Sequence, residues 1–303
     1  MRLVTYRASV EAEARLGALI GELVVDLAAF GAASGLTLPS RMLDLIAMGP
    51  HDAAAIGGLL DAANGAFPIG CSRPLASVTV LAPIPRPEKN IFGIGLNYLD
   101  HVAESAAALD TSPDLPKKPV IFSKPPTTVI APGAPVVHKA AITQQLDWEV
   151  ELGVIIGTTA RAVPVETALS HVFGYTMIID VSARDNRRAG QWIYSKGQDS
   201  YAPMGPVIVT ADEIPDPQVL ELWLTVNGVE KQRSNTSHML FKVNELIADI
   251  SQGITLEPGD IIASGTPEGV GAGRTPQEWL WPGDVIEAGV EKIGTLRHPV
   301  VAG

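Results

Sequence analysis

The sequence holds a single cysteine, Cys71, so no disulfide can form within the chain and a reducing compartment is expected. As a nucleophile that thiol would need an activating neighbour, and Gly70, Ser72 and Arg73 supply no obvious one. A half-buried structural thiol is the better reading. Aromatic residues are 5% of the chain, which leaves Ala, Val, Ile and Leu to build the core. Basic residues are also scarce: 22 Lys and Arg stand against 33 Asp and Glu, a net charge of -11. Such a surface repels phosphate backbones and anionic lipid, so neither nucleic acid nor membrane is an expected partner. An anionic substrate remains compatible, because a bound cation reverses the sign locally. No apolar run approaches the ~20 residues that cross a bilayer. The N-terminus carries no basic stretch followed by a long apolar one, so no signal peptide is expected and a cytoplasmic location is. The glycine-rich run from Gly265 to Gly273 is not GxGxxG and lacks a P-loop lysine, so a nucleotide cradle is a weak reading.

What is present is a globular composition, 46% apolar and 18% charged over 303 residues. Pro83, Pro85 and Pro87 alternate and forbid a helix or central strand, which marks a boundary. Residues 1–82 read as a small α+β unit, with strands near 3–6, 18–20 and 23–27 and helices at 41–48 and 51–63. Residues 83–303 read as a strand-rich catalytic domain. Strands are expected at 90–95, 120–124, 148–156, 175–181, 207–210, 222–226 and 260–264. Helices are expected at 98–107, 165–170 and 242–251. With no regular βα alternation, the fold class is α+β with a folded or rolled mixed sheet.

The acids are the most informative residues. On a strand, residues two apart share a face, so Glu149 and Glu151 point together, joined by Asp147 if the strand extends that far. Two adjacent carboxylates running into an apolar stretch either raise a pKa or recruit a cation; otherwise they form an exposed edge that faces water. Asp180 closes a second apolar strand. Three carboxylates without a nearby Cys or His pair make an oxygen-only site, suited to Mg²⁺ or Mn²⁺, to Ca²⁺ if the cage is loose, and not to zinc.

His101 and Glu104 lie three apart on an expected helix, where side chains meet. Glu104 would then orient His101 and raise its basicity; the bland alternative is an incidental surface contact. Gly93 and Gly95 ahead of the helix read as a mobile entry for a lid.

Ordered motifs carry a resemblance. They are the run from Pro87 to Tyr98 leading to His101 and Glu104, then Pro119 to Lys124, Asp147 to Leu152 and Gly174 to Asp185. Gly190-Gln191-Trp192, Lys196-Gly197, Pro203 to Pro206, Thr236 to Phe241 and Thr255 to Gly271 follow. Over about residues 80–300 the chain resembles the fumarylacetoacetate hydrolase family, acylpyruvate hydrolases and hydroxyheptadienedioate isomerases included. The resemblance implies a mixed β-roll or sandwich, a homodimer, and a metal held by Glu149, Glu151 and Asp180. It gives His101 and Glu104 the activation of water on a helix that closes over substrate. It places Lys196 beside the metal and Thr266 against substrate through its hydroxyl or backbone. Arg184 is grouped with the substrate contacts, or is structural and paired with an acid. The chain departs from the family at Arg187, where relatives often have Gln; an arginine there would bind an extra substrate carboxylate or an oxyanion. Gln198 and Tyr201 replace common Phe, implying a more polar pocket wall.

The function implied is metal-dependent hydrolysis of a carbon–carbon bond in a β-diketo acid of the acylpyruvate or fumarylpyruvate type, giving pyruvate and a carboxylic acid, as in aromatic compound catabolism. The alternative is decarboxylation of an oxaloacetate-like acid or isomerisation of a hydroxymuconate-type dienoate.

Overall fold

Val, Leu and Ile, with a few aromatics such as Trp148, Tyr98 and Tyr175, line the inner faces of two β-sheets. The computed structural model describes residues 1–108 and 114–303. Among the described residues the larger, mixed sheet has twelve strands, and a second has five. At the centre of the first, Val150–Ile156 pairs antiparallel with both Val172–Ile179 and Ile261–Ala263, and Ile261–Ala263 runs parallel to Ile91–Gly95. Val150, Leu152 and Val154 face one way, as their alternation predicts, and pack with Leu222, Leu224, Ile286 and Leu296 of the five-stranded sheet. On the other face, Ile155, Ile178 and Ile261 pack with Leu45, Ile46, Ile56 and Leu60 of the helices Met42–Met48 and Pro50–Ala62. The fold is therefore α+β and sheet-dominated, with one core between the sheets and a second under the helices.

The first 82 residues join the larger sheet: Arg2–Arg7 pairs antiparallel with Ala202–Thr210, placing Leu3 opposite Ile208. An unforeseen helix, Leu27–Ala33, starts where the Asp26 side chain accepts from the Ala29 N–H, satisfying one of the open donors of a helix start. Cys71 is buried. Among the described residues no helix is long and apolar enough to cross a membrane.

Several expected elements differ. The strand expected over 148–156 is broken: Leu146–Asp147 pairs with Ser182–Ala183, and the chain re-enters the main sheet only at Val150. The Asp147 carboxylate causes the break by accepting the backbone N–H groups of Trp148, Gly271 and Ala272. The helix expected at 165–170 is a single 3-10 turn, Ala168–His171, because the next strand begins at Val172. Val229–Asn235 was not expected as a strand; its sequence is polar and it lies at a sheet edge, so no apolar alternation marks it.

Candidate metal and catalytic site

The break at Asp147 creates the site. Glu149 lies in the bend, and the Asp180 N–H donates to the Glu149 carbonyl at 2.8 Å, one step beyond the register pair Val150–Ile179. Glu151 is the second residue of its strand. One carboxylate oxygen from each of Glu149, Glu151 and Asp180 lies within 4.8 Å of the others, and all three residues are buried. Asp147 is not among them, being held by backbone donors and Arg184.

Three cations surround this cluster. Lys196 donates to Glu149 Oε2 (2.6 Å), Asp180 Oδ2 (2.5 Å) and Ser182 Oγ (2.9 Å), which engages all three ammonium hydrogens. Arg184 donates to Asp147 Oδ2 at 2.8 Å and to Glu149 Oε1. Lys124, fully buried, donates to Asp180 Oδ1 at 2.5 Å and to the Lys196 carbonyl. The sequence reading assigned Lys124 no role. Its signal was that of Asp180: a charged residue ending an apolar strand.

Burial works against the Glu149 charge, but the Arg184 and Lys196 cations overcome it and hold that carboxyl below its ordinary range. Glu151 goes the other way: burial, Asp180 and Glu149 push it well above the ordinary range. Its Oε2 accepts from the Gly265 N–H at 3.0 Å, while its Oε1 is buried without a hydrogen-bond partner among the described residues. An orphaned buried carboxylate oxygen beside two further acids is a cation-shaped deficit. The donor set is all oxygen and fits a hard divalent ion such as Mg²⁺ or Mn²⁺.

In front of the cluster is a cleft reached by His101, Glu149, Arg184, Arg187, Lys196 and Thr266, with Leu96 and Trp192 as apolar walls. Glu151 and Asp180 do not line this cleft and are 1% and 0% exposed. His101 is carried by the helix Leu99–Ala108, with Nδ1 3.2 Å from Glu104 Oε2. Glu104 in turn accepts the Gly269 N–H at 3.0 and 3.2 Å, which ties the helix to the glycine-rich run. Leu96 adopts a left-handed backbone (φ 56°), turning the chain from strand to helix. Asn97 fastens that turn: its amide donates to the Phe241 and Ser264 carbonyls and its oxygen accepts the Phe241 N–H.

Some expectations about the wall change. Gly93 and Gly95 lie inside the strand Ile91–Gly95 and make room for aromatic rings: an added Cβ would come within 2.2 Å of Phe122 at Gly93 and 2.4 Å of Trp192 at Gly95. They supply space and not a hinge. Tyr201 is buried in the core between the sheets, and Gln198 lies outside the cleft, so neither sets its polarity. The Thr266 hydroxyl donates to the Val150 carbonyl at 2.9 Å and accepts from Gln232 at 2.8 Å, so its one hydrogen is committed to holding the strand start. Arg184 reaches the cleft, but its guanidinium is bound to Asp147 and Glu149.

The model of the fumarylacetoacetate (FAA) hydrolase C-terminal family matches residues 90–301. The chain is 40% identical over 271 residues to the oxaloacetate tautomerase YisK of Bacillus subtilis (strain 168), covering 87% of each. It is 38% identical over 306 residues to the mitochondrial oxaloacetate tautomerase FAHD2A of Homo sapiens, covering 99% of this chain and 92% of that protein. Among solved structures, the maleylpyruvate hydrolase of Sphingobium sp. SYK-6 in complex with manganese(II) and pyruvate superposes with a TM-score of 0.78. It shares 32% identity, over 100% of both chains.

Proposed function

The chain belongs to the fumarylacetoacetate hydrolase family of enzymes, and we propose that it is a divalent-metal-dependent tautomerase of oxaloacetate, interconverting the keto and enol forms. The observation that carries this reading is that His101, oriented by Glu104, opens onto the same cleft as Glu149. A proton carrier therefore faces the place where a chelated 2-oxo acid would lie. The identity to oxaloacetate tautomerases supports the choice of substrate.

Glu149, Glu151 and Asp180 would hold Mg²⁺ or Mn²⁺, which when bound supplies Lewis acidity to a substrate carboxylate and 2-oxo oxygen. Glu104 fixes the His101 ring at Nδ1, so the opposite nitrogen, Nε2, takes the proton from C3. The C3–H bond breaks and its electron pair forms the C2–C3 double bond while the C2–O π pair moves onto the 2-oxo oxygen, which receives a proton; nothing is oxidised and no atom is lost. The proton that His101 takes from C3 is the one delivered to that oxygen, directly or by way of solvent, and the reverse reaction uses the same groups. Lys196 has no ammonium hydrogen to spare, so it acts through its positive charge and by aligning Glu149 and Asp180. Leu96 and Trp192 give the cleft apolar walls, which would limit water beside the carbon that loses its proton. The same reading includes a reducing compartment, cytoplasmic or mitochondrial, and a homodimer.

A second reading is favoured by the structural likeness to maleylpyruvate hydrolase. In it His101 deprotonates water, which attacks the distal carbonyl of an acylpyruvate and releases pyruvate and a carboxylic acid. The deciding experiment follows enol absorbance after enol-oxaloacetate is added to chelator-treated protein, with and without Mg²⁺ or Mn²⁺, and identifies products by mass. Metal-dependent decay of the enol with oxaloacetate recovered intact is the expected result. No acceleration of that decay by metal-loaded protein overturns the tautomerase, and metal-dependent cleavage of acylpyruvates would install the hydrolase in its place.

A further inference from the structure

The cleft contains a cation that the metal cluster does not use. Lys196 is held by Glu149, Asp180 and Ser182, and Arg184 by Asp147 and Glu149. The Arg187 guanidinium has no carboxylate and no hydrogen-bond acceptor among the described residues. Its recorded contact is with the Trp192 ring face, 5.5 Å from the centroid. It is half-buried and lines the cleft with His101. Burial and the nearby Arg184 cation both push its pKa down, as they would for a cation waiting for an anion.

We propose that Arg187 receives the distal carboxylate of the substrate and so restricts this enzyme to 2-oxo dicarboxylic acids. The inference rests on the reading above that a 2-oxo acid occupies the cleft.

Arg187 is presented by an anchored turn. It directly follows the short 3-10 turn Arg184–Asn186. The Asp185 carboxylate accepts from Thr143 Oγ1 at 2.5 Å and the Gln144 N–H at 2.8 Å, and Asn186 donates to the Ile142 carbonyl at 2.7 Å. Trp192, on which the guanidinium lies, is itself packed against Phe122, with ring centroids 5.5 Å apart. Little order remains to be imposed when an anion arrives. A guanidinium fork pairs with a carboxylate through two parallel hydrogen bonds, which gives direction as well as attraction. The acid cluster already has Lys124, Lys196 and Arg184 on its own side, so a further cation there would add repulsion. A carboxylate at the far end of the substrate instead meets Arg187 without competing with them.

The test uses a matched ligand pair on the full-length, Mn²⁺-loaded protein. 3,3-Difluorooxaloacetate has no C3 hydrogen to lose; 3,3-difluoropyruvate has the same oxo-acid head without the distal carboxylate. Calorimetry on the wild type should show the dicarboxylate bound roughly 10–100-fold more tightly, the range of one charged hydrogen-bonded contact. Arg187→Gln should erase that gap while leaving the affinity for difluoropyruvate within about twofold, and Arg187→Lys should restore part of it. An unchanged metal-dependent rise in melting temperature verifies that the variants are folded. Equal losses on both ligands, or a gap that survives Arg187→Gln, overturns the assignment. A gap that depends on Arg187 in a protein that does not tautomerise oxaloacetate would uphold this inference while the proposed reaction falls. Binding of neither ligand by the wild type overturns both.

Discussion

Glu149 and Glu151, two residues apart, stand in opposite electrostatic circumstances. Glu149 is met by Arg184 and Lys196, whereas Glu151 has a backbone N–H on one oxygen and, among the described residues, no hydrogen-bond partner on the other. Of the three acids proposed to hold the metal, Glu151 is therefore the one whose charge the protein leaves unbalanced. Removing that charge while keeping its shape should separate metal binding from folding. Without metal, Glu151→Gln is expected to melt at or above the wild-type temperature, since a neutral amide escapes the repulsion of Asp180 and Glu149. With Mg²⁺ or Mn²⁺ at 100 times Kd, the wild type gains about 2.7 kcal/mol, a rise of roughly 5 °C, and the variant gains none. Scanning calorimetry at both conditions checks this, and a metal-dependent rise retained in the variant would remove Glu151 from the ligand set.

His101 allows a complementary separation. His101→Ala leaves the three acids and their lysines untouched, so the metal-dependent rise in melting temperature should persist. Turnover should fall by about 10²–10⁴, the range for losing a positioned proton carrier. Wild-type turnover in that variant would sink the role given to the His101–Glu104 pair.

Much of the candidate site was legible because its residues break local rules. Acids at the ends of apolar strands are costly unless they have a partner, so Glu149, Glu151 and Asp180 announce themselves in one dimension. What was not legible depends on contacts between distant segments. Lys124 follows the same rule as Asp180 but becomes meaningful only when the strand Val120–Lys124 is brought against it, 56 residues away in sequence. The bend at Asp147 is set by N–H groups of Gly271 and Ala272, which no local pattern indicates. Gly93 and Gly95 look alike as hinge or as space until Phe122 and Trp192 are seen beside them. Arg187 was visible as a departure from its relatives, but its lack of a carboxylate partner among the described residues is a property of the fold.

Away from the site, Asp26 links stability to pH. Burial tends to raise its carboxyl pKa. Hydrogen bonds from Arg15, the Ala29 N–H and the Tyr6 hydroxyl outweigh that and place it below the ordinary value. A carboxyl depressed in the folded state contributes stability that is fully present above its unfolded value of about 3.9. That contribution is lost as pH falls through the lower folded value. Asp26→Ala should cost about 2–4 kcal/mol at pH 7 through the lost helix cap and the unpaired Arg15 and Tyr6. Urea midpoints of the two proteins should converge as pH drops below about 4. A difference that stays constant from pH 7 to pH 3 would count against the ion pair.

The hold on the helix that carries His101 can be tested without substituting a charged group. Glu104 lies against Gly273 so closely that an added Cβ would come within 2.1 Å of its carboxyl group. Nothing in the Gly273 backbone forbids alanine, since its φ is not in the left-handed region. What must yield is a single side chain, Glu104 from its Cγ outward, with no backbone atom among the close contacts, so the fold should be kept. Glu104, however, cannot swing aside and keep both the Gly269 N–H and His101 Nδ1. Gly273→Ala should therefore reduce kcat by roughly 10–100-fold, an orienting effect smaller than loss of the imidazole itself. Melting temperature and its metal-dependent rise should stay within a degree or two of wild type. Full activity in Gly273→Ala would mean that His101 works without Glu104 to orient it, and the helix would then owe its position to Asn97 and the strand beneath it.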